Sequence, residues 1–374
     1  MANKNKNLNS AAKAKKDEFY TRIEDIENEC RHYKNFFRDK IIFCNCDDPF
    51  ESNFFAYFAM NFNTFGLKKL MSASYIGSPI IQTEFNFDDS PNKIENFDAK
   101  KDAVKVELTE FRDFNGDGRE DLYDVQYFLK NSPGAIQKLQ GTGDFRSPES
   151  VEMLKQADIV VTNPPFSLFR EYVKQLIDFD KKFLIIGNIN CITYKEIFPL
   201  IKENKIWLGY RMGRGIAGFI VPEKYELYGT EARIENGKKI ISTNQCLWLT
   251  NLDIKKRHED ILLWRSYADE PELFPKYDNY DAIEVSKTAD IPKDYFGVMG
   301  VPINFLDKYN PEQFEIVGMT ENLDLYGLKT KIYTAEECKQ RYFELFEKKG
   351  TYDLNAAGVI NGRKVYQRIL IRRK

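Results

Sequence analysis

Three short runs in this chain are almost wholly apolar, and they restrict the folds open to it. Ile41–Cys46, Ile159–Val161 and Phe183–Ile186 are too short for core helices and lack the alternation that leaves one face in water. Such runs are expected to be strands buried on both faces. Around them the hydrophobic period lengthens. Ile23, Ile26, Cys30, Tyr33 and Phe37 recur at spacings of three and four, as one face of a helix does. Ser52 is placed to cap a helix through Phe54, Phe55 and Phe58, and Leu70–Ile76 reads as the next strand. Strand, turn, helix and strand in succession open a βαβ unit. Pro148–Gln156 reads as a helix before the second apolar run, and Leu168, Phe169, Tyr172, Val173, Leu176 and Ile177 mark a helix face after it. Phe183–Ile186 is ended by Gly187. Tyr194–Glu203 is expected to be helical, Ile206–Leu208 extended, and Gln245–Thr250 a late strand. The alternation up to about Asp253 predicts an α/β fold with an open sheet.

At 374 residues the chain is expected to hold two domains. Residues 1–15 read as a flexible leader, 16–253 as the α/β domain and 254–374 as an irregular α+β domain. An insertion is expected over residues 78–135, where Ile80–Lys101 is polar and acidic. Val104, Val106 and Leu108 alternate like an exposed strand, and Gly141–Arg146 is a Gly-rich turn. In the second domain, Thr334 and Glu337 make a capping-box signal for a helix ending near Gly350, and Val365–Ile371 reads as a closing strand.

Composition narrows the function classes. Hydrophobic residues at 43% and charged residues at 30% describe an ordinary soluble protein. No apolar run is long enough to cross a bilayer, and the Lys- and Asn-rich stretch Met1–Lys16 lacks the apolar segment of a secretory signal. Both absences predict a cytoplasmic protein without a membrane partner. Cys30, Cys44, Cys46, Cys191, Cys246 and Cys338 form no CxxC pair, and His32 and His258 are the only histidines. These features argue against a zinc site, a disulfide framework and His-dependent hydrolysis. The net charge of −2 gives no global pull toward nucleic acid. The ends differ: Met1–Lys16 has five lysines, Asn361–Lys374 has six basic residues, and neither has an acid. Such ends can contact phosphates or remain solvated.

The most chemically pointed stretch is Asn163-Pro164-Pro165-Phe166, directly after the run Ile159–Thr162. The Asn163 side-chain oxygen and the Pro164 carbonyl can both accept from a planar NH2 group. The prolines fix the backbone that aims them, and Phe166 offers a stacking face. This is what transfer to an exocyclic amine requires, although Pro-Pro after a strand can also be a plain terminator. Ligands of open α/β sheets sit beyond the carboxyl ends of strands. Two other candidate strand ends carry polar residues: Cys46-Asp47-Asp48-Pro49 and Gly143-Asp144-Phe145.

The order of these strand ends resembles that of AdoMet-dependent amino-methyltransferases. With Lys16-Asp17-Glu18-Phe19-Tyr20-Thr21, Cys44–Pro49 followed by Ser52-Asn53-Phe54, Gln245–Asp253, Gly300-Val301-Pro302-Ile303 and Tyr366-Gln367-Arg368-Ile369, it is similar over most of the chain to the EcoRI-type adenine-specific DNA methyltransferase family. The chain departs from the usual pattern in having no glycine in the cofactor turn. Ser74-Tyr75 also stand where an acidic ribose ligand is usual.

The resemblance implies a Rossmann-like AdoMet-dependent methyltransferase sheet with a C-terminal α+β target-recognition domain. It implies S-adenosyl-L-methionine as cofactor and double-stranded DNA as substrate, with the methyl group passing to N6 of a flipped-out adenine. Asn163, Pro164, Pro165 and Phe166 would be catalytic. Phe19, Tyr20, Thr21, Asn45, Asp47, Asp48, Pro49, Ser52, Asp144, Phe145 and Asn163 would bind the cofactor. Arg211, Arg214, Arg363, Lys364, Arg368, Arg372 and Arg373 are candidates for DNA phosphates. A cognate restriction endonuclease in the same system and a monomeric state are also expected. The alternatives are an RNA or protein-glutamine amino-methyltransferase, or a non-catalytic DNA-binding protein on the same scaffold. No metal is expected. Even so, Asp113, Asn115, Asp117 and Asp121 with Gly118 at the sixth position resemble the start of a calcium loop, which has Asp124 where its twelfth-position Glu belongs.

Overall fold

The computed structural model describes residues 20–49, 52–75, 102–132, 134–212, 216, 218–221, 232–235, 237–241 and 245–374. The chain forms two compact units, Met1–Pro199 with Ile206–Asp253 and Leu200–Lys205 with Ile254–Lys374.

In the first unit the strands in chain order are β1 (Tyr20–Thr21), β2 (Ile41–Asn45), β3 (Lys69–Ala73), β4 (Val104–Leu108), β5 (Ile136–Lys138), β6 (Ile159–Thr162), β7 (Lys182–Asn188), β8 (Trp207–Leu208), β9 (Phe219–Val221), β10 (Ala232–Glu235), β11 (Lys238–Ile241) and β12 (Cys246–Thr250). Eight of them form one sheet in the order β5-β4-β3-β2-β6-β7-β12-β8. The centre is parallel: β2 pairs β3 and β6, and β6 pairs β7. Strands β4, β5 and β12 join antiparallel. The three apolar runs are therefore central strands, buried nearly throughout because helices cover both faces of a parallel sheet. A separate sheet has the order β1-β9-β11-β10.

The helices follow their hydrophobic period, with informative exceptions. Ile26, Cys30, Tyr33 and Phe37 are all fully buried, yet the expected single helix breaks after Cys30 and resumes as a short turn at Lys34–Phe37. The helix Asn53–Met60 begins as expected at Ser52, whose Oγ accepts from the Phe54 N–H at 3.1 Å. Tyr194–Glu203 is α-helical over only half its length. Ile189–Thr193 is a 3-10 turn and only Phe198–Lys202 forms an α-helix. The alternating strand β4 is not an exposed one. It lies inside the sheet between β3 and β5, with Val104, Val106 and Leu108 buried. Gly187 does not end its strand but lies within β7. A Cβ there would stand 2.7 Å from the ring of Phe169, so the glycine admits that ring. The leader, Ile76 and, within the expected insertion, residues 78–101 and 133 lie outside the described residues.

The second unit has a sheet of β13 (Ile283–Glu284), β14 (Met299–Val301), β15 (Phe314–Met319) and β18 (Ile369–Arg373) in the order β13-β14-β18-β15, and a hairpin of β16 (Val359–Ile360) with β17 (Arg363–Lys364). Thr334 and Glu337 form the reciprocal capping box at 3.2 and 2.8 Å, and the helix Ala335–Phe346 ends on Glu347 in the left-handed conformation rather than at Gly350. The closing strand starts at Ile369 rather than Val365, because the Val365 N–H is committed to the Gly358 carbonyl beside the hairpin. Among the described residues no helix is long and apolar enough to cross a membrane.

Candidate functional site

Strand order decides which loops can meet. The chain leaves β2 toward β3 on one side and returns past it to β6 on the other. Direction reverses between β2 and β6, and the crevice at such a reversal is the ordinary ligand position of an open α/β sheet.

The first loop leaves β2 at Asn45. It has no glycine, and Cys46 itself takes the left-handed conformation with φ 79°. That costs about 1–2 kcal/mol for a side chain with a Cβ and turns the chain sharply without the residue type the turn would favour. Asn45, Asp47, Asp48 and Pro49 are buried. Asp47 Oδ1 accepts from Ser52 Oγ at 2.9 Å, Oδ2 lies 2.5 Å from Thr162 Oγ1, and the Asp47 carbonyl accepts from Ser72 Oγ at 2.6 Å. Burial pushes the Asp47 carboxyl up to about 7, against its hydrogen-bonded contacts with Thr162 and Ser52 and with help from the neighbouring Asp48. Asn53 Nδ2 donates to the Thr21 carbonyl at 2.7 Å, which fastens β1 to this loop.

The second loop follows β5. Gly143 has φ 72°, and a Cβ there would lie 2.0 Å from the Ser74 carbonyl oxygen, so only glycine lets this turn press against the end of β3. Ser74 itself continues the sheet pairing, its Oγ accepting from the Val104 N–H at 3.0 Å. The Asp144 carboxylate is gripped by Arg146 at 2.9 and 2.8 Å, and the guanidinium holds it below the ordinary carboxylate range. Phe145 is buried edge-on to Tyr172 at 5.0 Å, and its carbonyl accepts from Gln175 Nε2 at 3.0 Å. Burial, with Cys46 and Asp47 close by, pushes the Tyr172 hydroxyl well above its ordinary value.

The third loop leaves β6 at Thr162. Asn163, Pro165 and Phe166 are half-buried and Pro164 is buried. The Pro165 carbonyl accepts from Leu168 N–H at 3.0 Å across a 3-10 turn, Phe166–Leu168, and the helix Phe169–Asp178 follows. That helix carries Glu171, Tyr172 and Gln175, whose partners Arg146 and Phe145 belong to the second loop.

The structure thus brings Asn45 and Asp47 against Thr162 at the root of Asn163, with Ser52 behind Asp47 and Asp48 on the same loop, and ties the Asp144–Phe145 turn to the helix leaving the Asn-Pro-Pro-Phe loop. Thr21 joins through Asn53. Tyr20 contributes its backbone to the pairing with β9. Phe19 and Arg214 lie outside the described residues. Arg211 is exposed.

In the second unit Arg363 is exposed and the Lys364 ammonium lies 5.2 Å from the Tyr352 ring centre. Arg372 pairs with Glu315 at 2.9 Å, and Arg373 bonds the Lys293 carbonyl. Arg368 needs correction as a phosphate ligand. Its guanidinium is bound to Glu284, with side-chain exposures of 11% and 5%, so it holds the interior together.

In the acidic loop, Asp113 accepts from the Gly116, Asp117 and Gly118 N–H groups. Asp121 caps the helix Leu122–Asn131, and the buried Asp124 accepts from Phe114, Asn115 and Asp121. Sequence reasoning did not single out Thr162, Ser72, Arg146 or Gln175. Thr162 could have been flagged as a hydroxyl directly before the motif, whereas the others follow no local pattern.

A family model described as adenine-specific methyltransferase EcoRI matches residues 7–374. The chain is 55% identical over 321 residues to the type II methyltransferase M.EcoRI of Escherichia coli, covering 86% of this chain and 91% of that one. It is 36% identical over 377 residues to the type II methyltransferase M.MgeORF184P of Mycoplasma genitalium, covering 98% of each. It is 35% identical over 332 residues to the type II methyltransferase M.MpnI of Mycoplasma pneumoniae, covering 87% of this chain and 90% of that one. No solved structure matches it significantly.

Proposed function

The chain belongs to the adenine-specific methyltransferase EcoRI family and is a DNA adenine methyltransferase, and from that premise we propose how its residues divide the reaction. The observation that carries the reading is the position of Asn163-Pro164-Pro165-Phe166 at the carboxyl end of β6, beside the loop of β2, where the sheet order reverses.

S-adenosyl-L-methionine is the proposed cofactor, and the residues fit such a group. Asn45 is fully buried, yet its Nδ2 finds no hydrogen-bond partner among the described residues, and neither does Thr21 Oγ1. Buried polar atoms of this kind are costly unless a ligand satisfies them. Asn45, Asp48 and Thr21 would hold the amino-acid and ribose parts, and Asp144 with Phe145 the adenine. When bound, the cofactor supplies an electrophilic methyl group.

The protein's part is orientation. The Asn163 side-chain oxygen and the Pro164 carbonyl accept from the target amino group and draw its nitrogen lone pair out of conjugation with the purine. The flanking prolines keep these acceptors from swinging away. Phe166 supplies a ring face for an extruded base. No covalent enzyme intermediate is needed, and positioning supplies much of the rate.

The substrate is double-stranded DNA read at a specific site. Arg211, Arg363 and Lys364 contact its phosphates, and the second unit reads the target. A cognate restriction endonuclease, a monomeric enzyme and a cytoplasmic location complete the proposal. The decisive variant is Asn163→Ala. Incorporation of labelled methyl into DNA should fall by at least about 100-fold while cofactor affinity measured by calorimetry stays within about threefold. Normal incorporation by this variant would overturn the role of Asn163.

A further inference from the structure

The ends of the central strands β2 and β6 meet through side chains that the proposed reaction leaves without a task. Thr162 is the last residue of β6 and stands directly before Asn163. Its buried hydroxyl faces two oxygens, the carbonyl of Asn45 and Oδ2 of Asp47, the latter at 2.5 Å. A hydroxyl has one hydrogen to give. The Asn45 carbonyl can only accept, so it takes that hydrogen. The Thr162–Asp47 contact then needs a hydrogen from the Asp47 carboxyl. The other Asp47 oxygen accepts from Ser52 Oγ, which itself accepts from the Phe54 N–H. Both carboxyl oxygens are therefore occupied from within, on a residue 8% exposed. Burial raises the carboxyl into the neutral range, the same direction as the hydrogen count, and the facing groups Asp48, Cys44 and Tyr172 bring no positive charge to oppose it.

We infer that Asp47 is not a cofactor ligand but a neutral acid that donates to Thr162, and that the two form a latch fixing the root of Asn163 against the loop of β2. Thr162 is then a positioning residue for methyl transfer. The inference rests on the proposed role of Asn163. The latch matters because the acceptors at Asn163 and Pro164 lie one and two residues beyond it, and a displacement of about 1 Å at a reacting group can cost about 100-fold in rate.

Two substitutions at Thr162 separate its hydroxyl from its shape. Thr162→Val keeps the volume and removes the hydrogen bonds, and Thr162→Ser keeps the hydroxyl. The Val enzyme should lose about 10- to 100-fold in kcat with the KM for DNA unchanged, and the Ser enzyme should recover to within about threefold of the parent. Asp47→Asn retains a donor and an acceptor without a charge, so its affinity for S-adenosyl-L-methionine by calorimetry should stay within about threefold of the parent. A Val enzyme with the parent kcat overturns the latch. So does an Asp47→Asn protein that loses more than about tenfold in cofactor affinity, which would return Asp47 to the ligands. Should Thr162→Val not fold, Asp47→Asn decides alone. Asn163→Ala is assayed in parallel. If it is inactive while Thr162→Val is normal, only the latch fails, whereas an active Asn163→Ala removes the underlying reading.

Discussion

Raising the pH from acid to neutral should strip stability from the α/β unit through Asp47. In the unfolded chain its carboxyl loses its proton near the ordinary value of 3.8, and in the folded protein burial holds the proton up to about 7. Between these values the folded state carries one proton more than the unfolded state. Stability then falls as pH rises, by about 1.4 kcal/mol per pH unit, and levels off above the folded value. Across the whole window the loss is on the order of 4 kcal/mol. Asp47→Asn has no proton to lose there. Urea unfolding of the parent and of this variant, followed by the fluorescence of the fully buried Trp248, gives the difference between them at each pH. That difference should move against the parent from about pH 4 to about pH 7 and then stay level. A flat difference would mean that Asp47 titrates as it does in water. One moving in the parent's favour would mean an ionised carboxylate stabilised by the fold, and either result refutes the neutral acid.

The other expectations follow from single contacts. Gly143→Ala forces a side chain into the left-handed region and onto the Ser74 carbonyl, 2.0 Å from the new Cβ. It should cost about 2–5 kcal/mol by thermal melting and weaken cofactor binding, since the turn carrying Asp144 must lift away from β3. Arg368→Met strands the Glu284 carboxylate inside the second unit, with Tyr277 as its remaining partner. It should destabilise by about 3–5 kcal/mol in denaturant titration yet leave the salt dependence of DNA binding unchanged. Arg363→Ala should instead reduce that salt slope by about one with little effect on stability.

The parts of this molecule that were legible in the chain share a physical cause: their information is local. Ser52 caps a helix because its hydroxyl reaches the N–H two residues on, and Thr334 with Glu337 does the same reciprocally. The Asn-Pro-Pro-Phe loop announces itself because proline stiffens whatever precedes it. What was misread depended on partners distant in sequence. Val104–Leu108 alternates like an exposed strand, yet it pairs on both edges, with β3 and β5, and its apolar residues are buried. Gly187 looks like a terminator until the ring of Phe169 occupies the place of its missing side chain. Arg368 looks like one more basic residue in a basic tail until Glu284, 84 positions earlier, binds it.

By itself the sequence determined the class of the fold, the central strands and the stiff loop proposed to hold an amino group, because burial pattern and backbone stiffness are written residue by residue. Tertiary structure alone decided that β2 and β6 lie side by side, and this brings a threonine to an aspartate 115 residues away. Whether that carboxyl serves a ligand or braces a strand depends on its desolvation and on how many hydrogens its neighbours can give, and both are properties of the assembled site.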